Sequence, residues 1–161
     1  MGKPGVLLVL ITTALLTSAC YPYAAPCPAI AQATAVSVAV SREYVPQVKT
    51  LRLKACQEGV CKEADLELFA GSVSVDQGCR PDGVCSATAS PDGTMMGILM
   101  LDSLTEAPMA LTATGTAPDG AALPVRTLDF RPRGAYPYGE QCGRFVTASV
   151  KLDAEGLHDV S

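Results

Sequence analysis

The chain has 161 residues, of which 16 are acidic and 12 basic, so its formal net charge at pH 7 is −4. An acidic chain is poorly suited to nucleic acid, whose phosphates must be neutralised by Lys and Arg, and we expect no nucleic-acid partner. The length suffices for one domain with its own core. The one histidine, His158, cannot by itself build a histidine-based metal centre. We therefore expect no metal, no cofactor and no catalytic residue.

The first element in chain order is a short apolar segment. Lys3 precedes an uncharged apolar run at residues 6–16, and small residues follow up to Ala19 and Cys20. A membrane-spanning helix needs about twenty apolar residues, so this run is too short to remain as a span. A basic start, a short apolar run and small residues are typical of a secretory signal peptide. We predict a signal peptide at residues 1–19.

The end of this segment, LLTSAC, resembles the signal of bacterial lipoproteins, in which a lipid is attached to the cysteine and the chain is cleaved before it. The resemblance implies a lipid on Cys20, a lipid-anchored linker at residues 20–26 and a location on the extracytoplasmic face of the cell membrane. The alternative is an ordinary signal peptide that ends at Ala19. Cysteine counting favours lipidation, because removing Cys20 from seven cysteines leaves an even number to pair.

The rest of the chain alternates between apolar and polar residues, the period of half-buried strands. In ATAVSVAVS the alternation places Val36, Val38 and Val40 on one face. PDG triplets, which suit turns, occur at 81–83, 91–93 and 118–120. The residues of 61–70 favour helix, but their apolar pattern leaves a strand or a single helical turn open. The predicted strands are 33–41, 48–55, 72–76, 84–90, 95–101, 109–117, 123–130 and 144–153.

This pattern predicts an all-β fold, an antiparallel β-sandwich of about eight strands. The stretch MALTATGTAPDGAALPVRTLDF resembles strand pairs of immunoglobulin-like and fibronectin-III-like domains. We assign the sandwich domain to residues 27–153 and a flexible C-terminal tail to residues 154–161.

Six cysteines remain after Cys20, and in an exported protein we expect three disulfides. Two close pairs could instead form a four-thiolate zinc site, but their spacing and the oxidising compartment favour disulfides. The simplest pairing closes each local loop and leaves the two distant cysteines for each other. Six cysteines allow fifteen connectivities, so others stay open. The expected bridges are Cys56–Cys61, Cys79–Cys85 and Cys27–Cys142.

Tyr-Pro-Tyr occurs twice, each time followed by three residues and then a cysteine, in YPYAAPC (21–27) and YPYGEQC (136–142). A bridge between those cysteines would gather the tyrosines beside the anchor, where aromatic rings favour the headgroup layer. Proline is expected to hold each tripeptide extended. The alternative is that the tyrosines are rigid loop residues packed against their own domain. The predicted membrane-proximal residues are Tyr21, Tyr23, Tyr136, Tyr138, Arg131 and Arg133.

The chain as a whole resembles small, cysteine-stapled lipoproteins of high-GC Gram-positive bacteria, through its Ala-rich, Lys-poor composition and the CPAI at 27–30. We expect a non-enzymatic, membrane-anchored binding module whose partner is a protein or a cell-wall component. The alternative is a small secreted enzyme or enzyme inhibitor with a site built from loops. A pocket with several ionisable groups would favour the alternative, and an exposed apolar or aromatic patch would favour the binding module.

Overall fold

The computed structural model describes residues 27–29 and 33–161, and within them the fold is all-β. The predicted signal peptide and linker, with Cys20, Tyr21 and Tyr23, lie outside the described residues. Two short 3-10 helices occur at Val45–Gln47 and Glu140–Cys142. The strands of the described residues are β1 Ala35–Val40, β2 Thr50–Gln57, β3 Val60–Asp65, β4 Phe69–Cys79, β5 Cys85–Met100, β6 Met109–Thr116, β7 Arg126–Phe130, β8 Arg133–Ala135, β9 Phe145–Leu152 and β10 Leu157–Asp159.

The strands form two sheets. The larger has the order β10-β9-β1-β5-β4, with β8 also paired to β9, and the smaller has the order β3-β2-β6-β7. The predicted antiparallel arrangement is confirmed for every strand pair but one, because β1 and β9 run parallel. Parallel neighbours need a long crossover, and here the crossover is most of the domain.

One core lies between the sheets. Val36, Val38 and Val40 of β1 are fully buried, as their alternation predicted, and they face Leu51 and Leu53 of β2 in the same buried cluster. Each such side chain contributes about 1.5–3 kcal/mol through burial. β1 lies between β5 and β9, so it is a central strand of the larger sheet.

β5 differs from the prediction. Residues 84–90 and 95–101 were expected to be two strands separated by a PDG turn at 91–93, but they form one 16-residue strand. β4 stays paired through this triplet, with Ser72 opposite Pro91, and a register shift between Ala70 and Ser72 absorbs the irregularity. Gly93 takes a positive φ of 84°, which glycine tolerates. The triplet is therefore an interruption within a strand, whereas a turn was expected.

The C-terminal segment also differs. The predicted flexible tail at 154–161 contains β10, which pairs with β9 and buries Leu157. Asp153 starts this hairpin, because its carboxylate accepts the backbone N–H of Glu155 and of Gly156, each at 3.1 Å. The ordered domain therefore extends beyond 153. In the ambiguous stretch 61–70, residues 61–65 belong to β3 and 69–70 to β4, and the irregular segment 66–68 connects them. Two predicted strands merge into β5, and β3, β8 and β10 are additional, so the described residues contain ten strands where about eight were expected.

Candidate functional site

Three disulfides are present, as predicted from the cysteine count. Cys56–Cys61 and Cys79–Cys85 each close a hairpin, with Cα atoms 4.0 and 3.9 Å apart. Cys27–Cys142 joins residues 115 positions apart, with Cα atoms at 5.2 Å. The same four thiols proposed for the zinc alternative are thus bonded in pairs. Within the described residues no group of three or more His, Cys, Asp or Glu side chains could hold a metal ion.

The Cys27–Cys142 bridge defines one end of the domain, which we call the anchor pole: the bridge, Tyr136, Tyr138 and the Ala35 end of β1. Tyr136 and Tyr138 are 46% and 40% exposed, so neither is core packing. The Tyr138 ring meets Phe145 edge-on, with centroids 5.7 Å apart.

The second Tyr-Pro-Tyr segment is not extended as expected. The N–H of Gly139 donates to the carbonyl of Tyr136 at 3.0 Å, which closes a turn around Pro137. Proline at the first corner and glycine after the second suit such a turn. The turn keeps both rings on the surface, where Tyr138 contacts Phe145 and Tyr136 contacts Arg144.

Arg144 also belongs to this exposed group, although the sequence did not single it out. Its guanidinium lies 5.9 Å from the centroid of the Tyr136 ring, and it pairs with Glu106 at 2.7 Å. Such a cation over an aromatic face contributes about 0.5–1 kcal/mol at an exposed site. A sequence signal was available, since Arg144 is the first residue of the predicted strand 144–153 and lies two positions after the bridged Cys142.

Arg131 and Arg133 border an open depression of about 840 Å³ beside the anchor pole. Arg133 lies 3.6 Å from Asp159. Glu106, also in the depression, accepts the N–H of Gly134 at 3.0 Å as well as bonding Arg144. Two of the carboxylates in this depression, Glu106 and Asp159, therefore already have partners within the domain.

The opposite end of the molecule carries a projecting hairpin, residues 72–90, which we call the arm. In the β1–β5 pair Ala35 faces Met100 and Val40 faces Met95, so β5 leaves β1 at the end away from the anchor pole. Residues 85–94 of β5 have β4 as their neighbour and no pairing with β1. At about 3.3 Å per residue the arm extends about 30 Å beyond the end of β1.

The two faces of the arm differ. Val73 and Val75 lie opposite Ser90 and Thr88, and the two valines are 50% and 40% exposed. The other face carries small or polar residues, with Asp76 opposite Ala87. Both edges of the arm are unpaired within the described residues, because β4 is the last strand of its sheet and residues 85–90 of β5 have no neighbour other than β4. The β4 edge is the one that carries Val73 and Val75.

The arm is fastened at both ends. The Cys79–Cys85 disulfide closes its tip. At its base the guanidinium of Arg42 donates to the carbonyl of Asp92, at 2.7 Å through Nε. An isolated two-stranded hairpin is marginally stable in water, so these two links explain how the ribbon persists without a covering layer.

Apolar side chains are also exposed on the outer face of the larger sheet. Ile98, Tyr138 and Phe145 border a groove of about 370 Å³ at the anchor pole. Met100 is exposed on the same face, whereas Met109 is buried in the core.

Within residues 27–29 and 33–161 no helix is long and apolar enough to cross a membrane. Compared with models of known families, with curated proteins and with solved structures, the chain matches none of them.

Proposed function

We propose that this protein is a lipoprotein held by Cys20 on the extracytoplasmic face of a bacterial membrane, where it acts as a binding module without catalytic chemistry. We assign its two-sheet domain to the immunoglobulin-like class. The anchor pole faces the membrane, and the arm is the surface that binds a protein partner.

The linker length supports this orientation. Cys27 follows Cys20 by seven residues, and at most about 3.6 Å per residue the anchor pole stays within about 25 Å of a lipid on Cys20. A diacylglyceryl group supplies two chains, and two chains give a stable anchor where one is marginal. Tyr136 and Tyr138 are exposed on the side that this linker brings to the membrane, where amphipathic rings are favoured.

The observation that carries the binding role is the arm itself. It leaves Val73 and Val75 half exposed on a ribbon with an open edge, an arrangement that contributes little to the stability of its own domain. Open strand edges recruit further strands, with main-chain hydrogen bonds giving affinity and alternate side chains giving specificity. We therefore assign the partner as a protein segment that pairs along β4, with its side chains on the valine face.

A photo-crosslinking residue in place of Val75 should test this in cells that carry the lipidated protein. We expect a discrete adduct of higher mass from this variant and none from the matched variant at Ala87, which lies on the opposite face of the arm. Adducts of equal yield from both positions, or none from Val73 and Val75 alike, would show that the arm is not the recognition surface. An adduct with a wall polymer in place of a protein would contradict the assignment of partner.

A further inference from the structure

A cleft opens between the two sheets at the base of the arm. It holds about 620 Å³, within the range of about 300–1,000 Å³ typical of small-molecule sites. Its inner wall is formed by the buried Val40 and Leu51 with the half-buried Met95, and Leu66 and Leu68 cover one side. These side chains are all aliphatic or thioether, so the interior of the cleft is apolar.

The covering leucines are held in place by the backbone. The N–H of Leu66 donates to the carbonyl of Leu51 at 2.8 Å, which ties the segment after β3 to β2. Gly97 of β5 lies beneath, and a Cβ there would stand 3.0 Å from a methyl carbon of Leu66 and of Leu68. The absence of a side chain at Gly97 therefore lets both leucines lie against the sheet and shape the cleft wall.

The mouth of the cleft carries one uncompensated positive charge. Asp65 lines the mouth, but Arg52 binds its two carboxylate oxygens at 2.8 and 2.7 Å, and this contact lowers the pKa of the carboxyl. Lys49 also lines the mouth, and within residues 33–161 its ammonium is in no ion pair. A ligand would therefore meet an apolar interior and a free cation at the entrance.

We propose that this cleft binds a free, single-chain anionic amphiphile of the fatty-acid kind. The chain lies against Val40, Leu51 and Met95, and the carboxylate bonds the ammonium of Lys49. The cleft is at the base of the arm, away from the anchor pole, so the ligand comes from solution and not from the bilayer beneath the protein. The source of the ligand rests on the proposed membrane orientation, whereas binding by the cleft depends on neither the lipid anchor nor the partner of the arm.

Titration calorimetry of the unlipidated domain with decanoate, kept below micelle formation, tests the proposal. We expect saturable binding that Lys49→Gln weakens about five- to tenfold, because an exposed charge-assisted contact is lost. Lys54→Gln is the matched control, since Lys54 is exposed on β2, the strand that Lys49 directly precedes, and lies outside the cleft, and it should leave the affinity unchanged. Decanol, which lacks the charge, should bind equally to the wild type and to Lys49→Gln.

A second variant fixes the location. Val48 lines the cleft, and Val48→Trp should abolish decanoate binding while the circular dichroism spectrum stays that of the wild type. If Val48→Trp misfolds, the lysine pair still decides the matter, because both lysines are exposed. Three results would each overturn the proposal. They are the absence of saturable decanoate binding by the wild type, an equal loss of affinity in both lysine variants, and binding by a folded Val48→Trp that is as tight as that of the wild type. So would an equal effect of Lys49→Gln on binding to phosphatidylglycerol vesicles, which would place the source in the bilayer.

Discussion

Replacing Cys27 and Cys142 with serine should lower the free energy of unfolding by up to about 5 kcal/mol, the largest loss expected from removing any of the three bridges. The reason is the length of the closed loop, since 115 residues separate the two cysteines and cross-linking removes entropy from the unfolded chain in proportion to the logarithm of that length. Urea unfolding of the oxidised proteins, followed by circular dichroism, measures the difference.

The matched control is the double serine variant at Cys56 and Cys61, which are only five residues apart. The same chain-entropy argument gives about 2 kcal/mol for a loop of that size. Equal losses in the two variants, or a larger loss from the short bridge, would contradict the view that the long bridge is the main staple of the domain.

Asp153→Ala should be the next most damaging change, with a loss of about 2–3 kcal/mol. The carboxylate is nearly buried and gathers four donors. Lys151 Nζ and His158 Nε2 each lie 2.9 Å away, and the two backbone N–H groups of the β10 turn complete the set. Removing the acceptor leaves the two part-buried backbone N–H groups without a partner and unfastens β10, whereas the half-exposed Lys151 and His158 side chains can turn to water. Thermal and urea unfolding of the variant check the loss.

The same cluster predicts a pH dependence. Burial is the largest single influence on the pKa of Asp153 and raises it, but the hydrogen bonds from Lys151, His158, Gly156 and Glu155 together outweigh burial, so the pKa lies well below its usual range. A carboxyl with a depressed folded pKa contributes stability that is present above its unfolded pKa of about 3.9 and is lost as the pH falls through the folded value.

We therefore expect the wild type to lose stability steeply below about pH 4, and Asp153→Asn to lose less over the same interval because its contribution is already gone. Asp119→Asn is the control, since Asp119 sits in an exposed turn and accepts one backbone N–H, that of Ala121 at 2.9 Å. If the free energy of unfolding falls equally with pH in the wild type and in Asp153→Asn, this carboxylate makes no pH-dependent contribution to stability.

The elements that the sequence predicted well are those with long alternation and local chemistry. ATAVSVAVS buries its three valines because a strand with one apolar face has one way to meet the core, and β2, β6 and β9 follow the same rule. The disulfides followed from counting and loop closure. β8 and β10 have only three residues each, which is too short to show an alternating apolar pattern. Their pairing depends on neighbouring strands that no local pattern specifies.

The candidate surfaces were predictable only in part. The repeated Tyr-Pro-Tyr pointed to an exposed aromatic group beside a bridge, and the structure exposes the second copy. Arg144 joins that group through contacts with Tyr136 and Glu106, which lies 38 positions away in sequence, and a single sequence does not reveal such pairing. The sequence did not predict the arm, because PDG at 91–93 is typical of a turn. In the structure β4 stays paired with β5 across this triplet, and the pairing overrides the local preference for a turn.

The orientation of the lipidated protein on a membrane tests the central claim most directly. The chain has no tryptophan, so one tryptophan can be introduced at the anchor pole with Tyr138→Trp, or at the tip of the arm with Val84→Trp, where the native valine is 51% exposed. The measurement is fluorescence quenching by brominated lipids in vesicles that hold each variant through its lipid. We predict strong quenching of Tyr138→Trp, none of Val84→Trp, and release from the vesicles when Cys20→Ala is added to either. Equal quenching at the two positions, or vesicle binding that survives Cys20→Ala, would contradict an anchored module that presents its arm away from the membrane.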